Sequence, residues 1–262
     1  MLFNEPAPTN ADLRFRIFSI PVRVHPMFWF MALILGGGVS SPVELFAWIG
    51  AVFVSILAHE LGHSAVLRAF GHRPWIILHA MGGLACHQPG NTRTRGSGTL
   101  GQIAVSAAGP GAGFVLSAAL ALLLQAVGKH LVTVYFAGVP FPQIPHFVNE
   151  FGEVVRPLTF FELWSNDFIR VSVIWGLLNL LPIYPLDGGN IAREIVTAIS
   201  PRRGIAISLG LSALIAAGIA VHLLLRSLNS HSPIPFFTIL LFGYLAYSSF
   251  VAFEVYQHRR PW

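Results

Sequence analysis

The chain has 262 residues, of which 54% are hydrophobic and 10% charged, with a mean hydropathy of +0.66. Soluble domains carry about 25% charged residues, so this composition predicts an integral membrane protein and excludes a soluble enzyme built around a large core. The net charge of +5 comes from arginines at the ends of apolar segments, as membrane orientation requires, with no basic run of the kind that binds nucleic acid. Cys86 is the only cysteine, which excludes an intramolecular disulfide and a cysteine-based zinc site.

In chain order, residues 1–25 are polar and carry Arg14, Arg16 and Arg23. They lack the pattern of a cleavable signal peptide. Apolar residues alternate at Phe15, Ile17, Ile20, Val22 and Val24, which fits a short strand or an interfacial segment. A first, short span is predicted over Pro26–Gly38, ended by the turn Gly36–Pro42. A second runs over about 43–69. Residues 71–99 differ: Trp75–Leu78 is a β-like run, and Gly82-Gly83 predicts a hairpin or a backbone that something approaches closely. A polar loop follows at Pro89–Gly98.

The third span, Leu100–Val127, contains the small-residue stretch Ser106–Gly113, with Pro110 expected to kink it. Residues 128–161 read as a long Pro- and Phe-rich loop that lies on the membrane surface or caps the bundle. A fourth span, Glu162–Leu181, ends in Asn179-Leu180-Leu181-Pro182-Ile183-Tyr184-Pro185-Leu186-Asp187-Gly188-Gly189. A short amphipathic helix follows at 190–199, then spans at 204–225 and 234–254. The predicted fold class is therefore an all-α polytopic membrane protein. It has about six transmembrane helices, a short membrane-associated β-hairpin between spans two and three, and a single domain over 1–262 with its core at 43–200.

With six spans and the N-terminus inside, inside segments hold twelve of the sixteen Lys and Arg residues. Both termini are then expected in the cytoplasm of a multi-pass cell-membrane protein. The same count predicts the C-terminal end of span two and the end of span four on the cytoplasmic side.

The chemistry centres on His59-Glu60-Leu61-Gly62-His63 in span two. Histidines four apart share one helix face and can hold one Zn²⁺, and Glu60 is placed to act as base. Ionisable groups are costly within a membrane, so three in one turn point to function. A catalytic zinc takes a third protein ligand and leaves one position open. Of the three aspartates, Asp12, Asp167 and Asp187, only Asp187 matches in depth and lies on irregular backbone, where Gly188 and Gly189 would let the chain turn toward the metal.

These two motifs together resemble the site-2 protease family of intramembrane zinc metalloproteases. Asn179, Pro182, Leu186, Asp187 and Gly188 match that family's N-x-x-P-x-x-x-L-D-G pattern in register. Gly82-Gly83 resembles its membrane-associated hairpin, and Ala108-Gly109-Pro110 its glycine–proline segment. The resemblance spans about residues 43–200, in a minimal six-span form without PDZ or CBS domains.

It implies an enzyme hydrolysing peptide bonds in transmembrane segments of other proteins, including substrates already cut once by another protease. One Zn²⁺ per chain would be held by His59, His63 and Asp187. Glu60 would serve as general base, with Asn179 at the substrate backbone or oxyanion and Gly82-Gly83 pairing with an extended substrate. Plainer roles exist for several of these. Asp187 is a favoured helix N-cap residue, Asn179 could bond a neighbouring helix, and Gly82-Gly83 could be only a tight turn. Residues 108–113 read as packing, His79 and His87 as surface histidines, and Asp167 and Arg170 as an ion pair. The alternative function is a non-proteolytic zinc scaffold or metal transporter. A transporter should show ionisable residues across several spans and repeat symmetry, which spans five and six lack.

Overall fold

The structure is a computed structural model that describes residues 6–36, 38, 41–88, 98–136, 138–148, 154–230 and 236–258. The predicted polar loop at Pro89–Gly98 lies outside the described residues apart from Gly98. Two compact units emerge. One comprises Met1–Thr94 and Ala108–Leu177, the other Arg95–Ala107 and Leu178–Trp262.

The first unit is built on a four-stranded sheet of β1 (Leu13–Ile17), β2 (Ile20–Val24), β3 (Arg73–His79) and β4 (Gly82–Gln88), in that order. The β1/β2 and β3/β4 pairs are antiparallel, while β2 and β3 run parallel, with Val22 opposite Ile76 and Val24 opposite Leu78. The predicted hairpin is thus half of a larger sheet whose other half is the alternating N-terminal segment. That alternation buries Ile20, Val22 and Val24 against Ile76, Leu78 and helix residues Phe28, Val52 and Ile56. Two helices complete this core. Helix α1 (Pro26–Leu35) starts with Pro26 at its first turn and His25 Nδ1 accepting from the Met27 amide at 3.2 Å. Helix α2 (Pro42–Ala69) starts on Ser41, whose hydroxyl accepts from the Glu44 amide at 3.2 Å.

Helix α3 (Thr99–Ala126) is continuous through Pro110. The long loop expected at 128–161 instead holds two small hairpins, β5 (Val132–Phe136) with β6 (Val139–Gln143), and β7 (Phe147–Val148) with β8 (Val154–Arg156). Pro140 and Pro142 hide β6 in the sequence, yet both are tolerated because a two-stranded ribbon is all edge. Helix α4 (Phe160–Asn179) begins with a capping box, in which Thr159 and Glu162 exchange hydrogen bonds. Glu162 also binds Lys129 at 2.9 Å and Arg156 at 3.0 Å. Ser55 on α2 and Ser172 on α4, both buried, join their hydroxyls at 2.9 Å. The expected ion pair of Asp167 with Arg170 forms at 2.5 Å.

In the second unit, irregular backbone at 180–186 leads into α5 (Asp187–Ile199), followed by α6 (Gly204–Ser230) and α7 (Phe236–His258). Irregular backbone inside a membrane protein needs internal partners for its carbonyls. Here Ser212 of α6 donates to Pro182 O at 3.3 Å and Ser249 of α7 donates to Tyr184 O at 3.0 Å. Both serines are fully buried.

Among the described residues four helices are long and apolar enough to cross a membrane: 42–69, 99–126, 204–228 and 236–258. The other two expected spans, α1 and α4, fall short of that measure. Ten residues of α1 rise about 15 Å, half the hydrocarbon thickness of about 30 Å. Helix α4 has the length but carries Glu162, Asp167 and Arg170, which lower its apolar character.

Candidate metal centre

The predicted His59–His63 pair lies in the C-terminal half of α2, and the helix spacing does what the sequence implied. The two rings meet edge to face with centroids 4.9 Å apart. Ligand atoms of His59, Glu60 and His63 all lie within 4.8 Å of one another, and all three residues are buried, at 3%, 4% and 7% exposure. Two imidazoles and a carboxylate this close, away from water, form a donor set suited to zinc.

Two glycines far away in sequence shape the space around these groups. At Gly109 on α3, an added Cβ would lie 2.2 Å from His63 Nε2 and 2.8 Å from His59 Nε2. Both Nε2 atoms therefore face one small volume that any larger side chain at 109 would fill. That volume is what a metal shared by the two histidines requires. The glycine of the motif itself allows the approach, since a Cβ on Gly62 would sit 2.3 Å from Ala108 O. Residues 108–113, read from sequence as packing alone, thus supply one wall of the centre. The glycine–proline segment was the available signal, but no spacing rule links position 109 to 59 and 63.

The other wall is β4. A Cβ on Gly83 would fall 2.3 Å from Glu60 Cγ and 2.4 Å from Oε1, so the strand backbone runs against the carboxylate. Among the described strands β4 pairs only with β3, so it is the edge strand of the sheet, and its Gly83 faces Glu60. Gly82 has φ +111, and its Cα side is covered by the Trp175 ring at 2.5 Å from an ideal Cβ. Gly82 therefore answers both a left-handed backbone and close packing, while Gly83 answers the approach to Glu60.

His79 closes the same hairpin. It is buried, contrary to its expected surface placement, and its Nδ1 accepts from the Met81 amide at 3.3 Å. Burial, with the charges of His25 and Arg23 adding to it, pushes its pKa down, which keeps the ring neutral as this acceptor. His87 packs edge-on against His72 with centroids 4.7 Å apart, and burial followed by the His72 charge lowers its pKa as well.

Asn179 and Asp187 belong to the second unit. Asn179 is the last residue of α4 and is buried at 8% exposure. Asp187 is the first residue of α5, and Leu186 is the cap position, so Asp187 does not act as N-cap. Gly188 and Gly189 have no left-handed backbone, which corrects the conformational role expected for them. They are glycines because the first turn of α5 presses on irregular backbone: a Cβ on Gly188 would meet Leu180 O at 2.1 Å, and one on Gly189 the Ile183 carbonyl carbon at 2.4 Å.

Comparison with known proteins agrees with this geometry. The sequence profile of Peptidase family M50 matches residues 47–225. A zinc metalloprotease of Methanocaldococcus jannaschii is 26% identical over 225 residues, covering 84% of this chain and 55% of its own length. A Synechocystis protein, provisionally named a zinc metalloprotease, is 29% identical over 201 residues, covering 70% of this chain and 44% of its own. The chain thus spans about half the length of the curated relatives it matches. Among solved structures, the site-2 protease from M. jannaschii superposes with a TM-score of 0.54 at 24% identity, over 91% of this chain and 93% of that one.

Proposed function

The chain belongs to Peptidase family M50, the site-2 protease family, and from that membership we propose that it is an intramembrane zinc endopeptidase acting on transmembrane segments of other proteins. The observation that carries this reading is the buried His59–Glu60–His63 group lying between Gly109 and Gly83 of the edge strand β4.

Zinc at this centre would supply a Lewis acid that makes water nucleophilic near neutral pH and polarises a peptide carbonyl. His59 and His63 would hold it, with Asp187 as the third ligand. Glu60 takes the proton of the attacking water and returns it to the leaving amine. Its carboxylate is held against β4, so a substrate strand added to that edge would bring its carbonyls to the base. Backbone pairing of this kind needs an extended chain, so a substrate helix must first unwind at the cleaved bond. Asn179 would donate to the substrate backbone or to the developing oxyanion. Helices α1 and α4 would complete the membrane-embedded body, with both termini in the cytoplasm and the product released there.

The test uses a reporter membrane substrate and metal analysis together. Glu60→Gln should retain zinc and lose cleavage by about 10²–10⁴-fold; full activity in that variant would overturn the mechanism. Asp187→Ala should lower zinc retention against a chelator, and unchanged zinc content would remove Asp187 from the ligand set.

A further inference from the structure

At the C-terminal end of α2, a cavity of about 660 Å³ is lined by Arg16, Ser19, Arg68, His72, Arg73 and Trp75. Three guanidiniums share it, and among the described residues no carboxylate forms an ion pair with Arg16, Arg68 or Arg73. The cavity therefore has the charge to take an anion. Planar guanidinium forks match phosphate oxygens in particular.

Its depth follows from helix length. The 28 residues of α2 rise about 42 Å, close to the roughly 40–45 Å of a bilayer with its headgroup layers. Arg68, in the last turn, accordingly lies at headgroup level.

The β1–β2 hairpin adds an apolar element at the same place. Its two-residue turn is Phe18-Ser19, with φ +47 and +69. Such turns favour Asn-Gly, because bulky side chains resist positive φ. Phe18 is nonetheless there, 81% exposed, and Arg68 donates to its carbonyl oxygen, fixing the tip against the end of α2. A strained turn that presents a bare aromatic ring beside three arginines is poorly explained by folding. It suits an interface where ring and cations meet different layers of one ligand.

We propose that this cavity binds the headgroup phosphate of an anionic phospholipid, with Phe18 packed beside the lipid's acyl chains. Arg16 and Arg73 hold the phosphate, and Arg68 divides its donors between phosphate and turn. The bound lipid would pin the β1–β4 sheet, whose far edge runs against Glu60, to the membrane surface. An acidic protein segment would satisfy the arginines but would leave Phe18 without a role.

The experiment is native mass spectrometry of the full chain in neutral detergent, titrated with dioleoyl-phosphatidylglycerol or dioleoyl-phosphatidylcholine. The anionic lipid should form adducts at a concentration at least tenfold below that of the zwitterionic one. Arg16→Gln/Arg73→Gln, which leaves the Arg68 contact to the turn intact, should shift phosphatidylglycerol binding at least tenfold. Phe18→Ser should weaken it several-fold. Arg202→Gln/Arg203→Gln, outside the cavity, should match wild type. Unchanged thermal melting and zinc content in each variant separate lipid loss from misfolding. Equal adducts with both lipids, or no effect of Arg16→Gln/Arg73→Gln, would overturn the proposal. So would polyglutamate displacing phosphatidylglycerol equally well from wild type and Phe18→Ser, which would assign the cavity to an acidic protein partner.

Discussion

Gly109→Ala places a methyl group 2.2 Å from His63 Nε2 and 2.8 Å from His59 Nε2. Ordinary contact begins near 3.4 Å, so the methyl is about 1.2 Å too close to one ring and 0.6 Å too close to the other. Helix α3 cannot back away without opening the Gly62–Ala108 contact, and both rings stand on a buried helix. Overpacking of this size costs about 1–3 kcal/mol, which converts to roughly 5–150-fold in an equilibrium constant. The cost falls on the geometry of two ligands, so it should appear as lost zinc affinity before lost folding. The assay is zinc retained after titration with a chelator, read alongside thermal melting. Gly111→Ala is the control, since a Cβ there meets nothing within 4 Å. Gly109→Ala should release zinc at a chelator concentration at least fivefold lower than Gly111→Ala does. Equal retention by the two variants would refute the claim that position 109 bounds the metal volume.

Gly83→Ala drives a methyl into the Glu60 carboxylate; zinc should stay bound while reporter cleavage falls by about 10²-fold, the scale of a 1 Å misplacement at a reacting group. Asp12 is held down to about 2 by hydrogen bonds from Thr9, with Arg23 adding to them. A depressed carboxyl stabilises the fold above its unfolded pKa and loses that contribution as pH falls from about 4 toward 2. Amide protection factors in β1 and β2, which correct for the intrinsic pH dependence of exchange, should therefore fall over that window, and Asp12→Asn should show lowered protection at pH 7 with little further change on acidification.

Much of the centre was legible because its rules are local. The four-residue spacing of His59 and His63 needs only helix geometry, and an H-E-x-x-H inside an apolar run is rarely structural. The alternation at Phe15–Val24 likewise fitted a short strand or an interfacial segment, and the structure makes it two paired strands, β1 and β2. What stayed hidden depends on contacts between distant segments. His79 looked like a surface histidine because a lone imidazole beside glycines carries no burial signal; β3 burying it decided otherwise. Gly188 and Gly189 looked like turn residues because glycine serves turns and close packing alike, and only the nearness of Leu180 O and Ile183 separates the two. Length and hydropathy mark four helices as spans but not α1 or α4, because α1 is short and α4 carries charged residues within an otherwise apolar helix.

By itself the sequence determined a membrane protein, the two histidines and the carboxylate on one helix face, and the family pattern through Asp187. The first follows from composition and the second from the 3.6-residue period, which any chain with these residues must obey; the third rests on the resemblance to the family's motif. The tertiary structure alone decided that Gly109 bounds the volume between the histidine nitrogens, that β4 rather than another segment runs against Glu60, and that the N-terminal hairpin joins β3 to extend the sheet. Those pairings join residues 20 to 55 positions apart, where no local periodicity reaches. They are selected by which side chains are small enough to let two backbones meet.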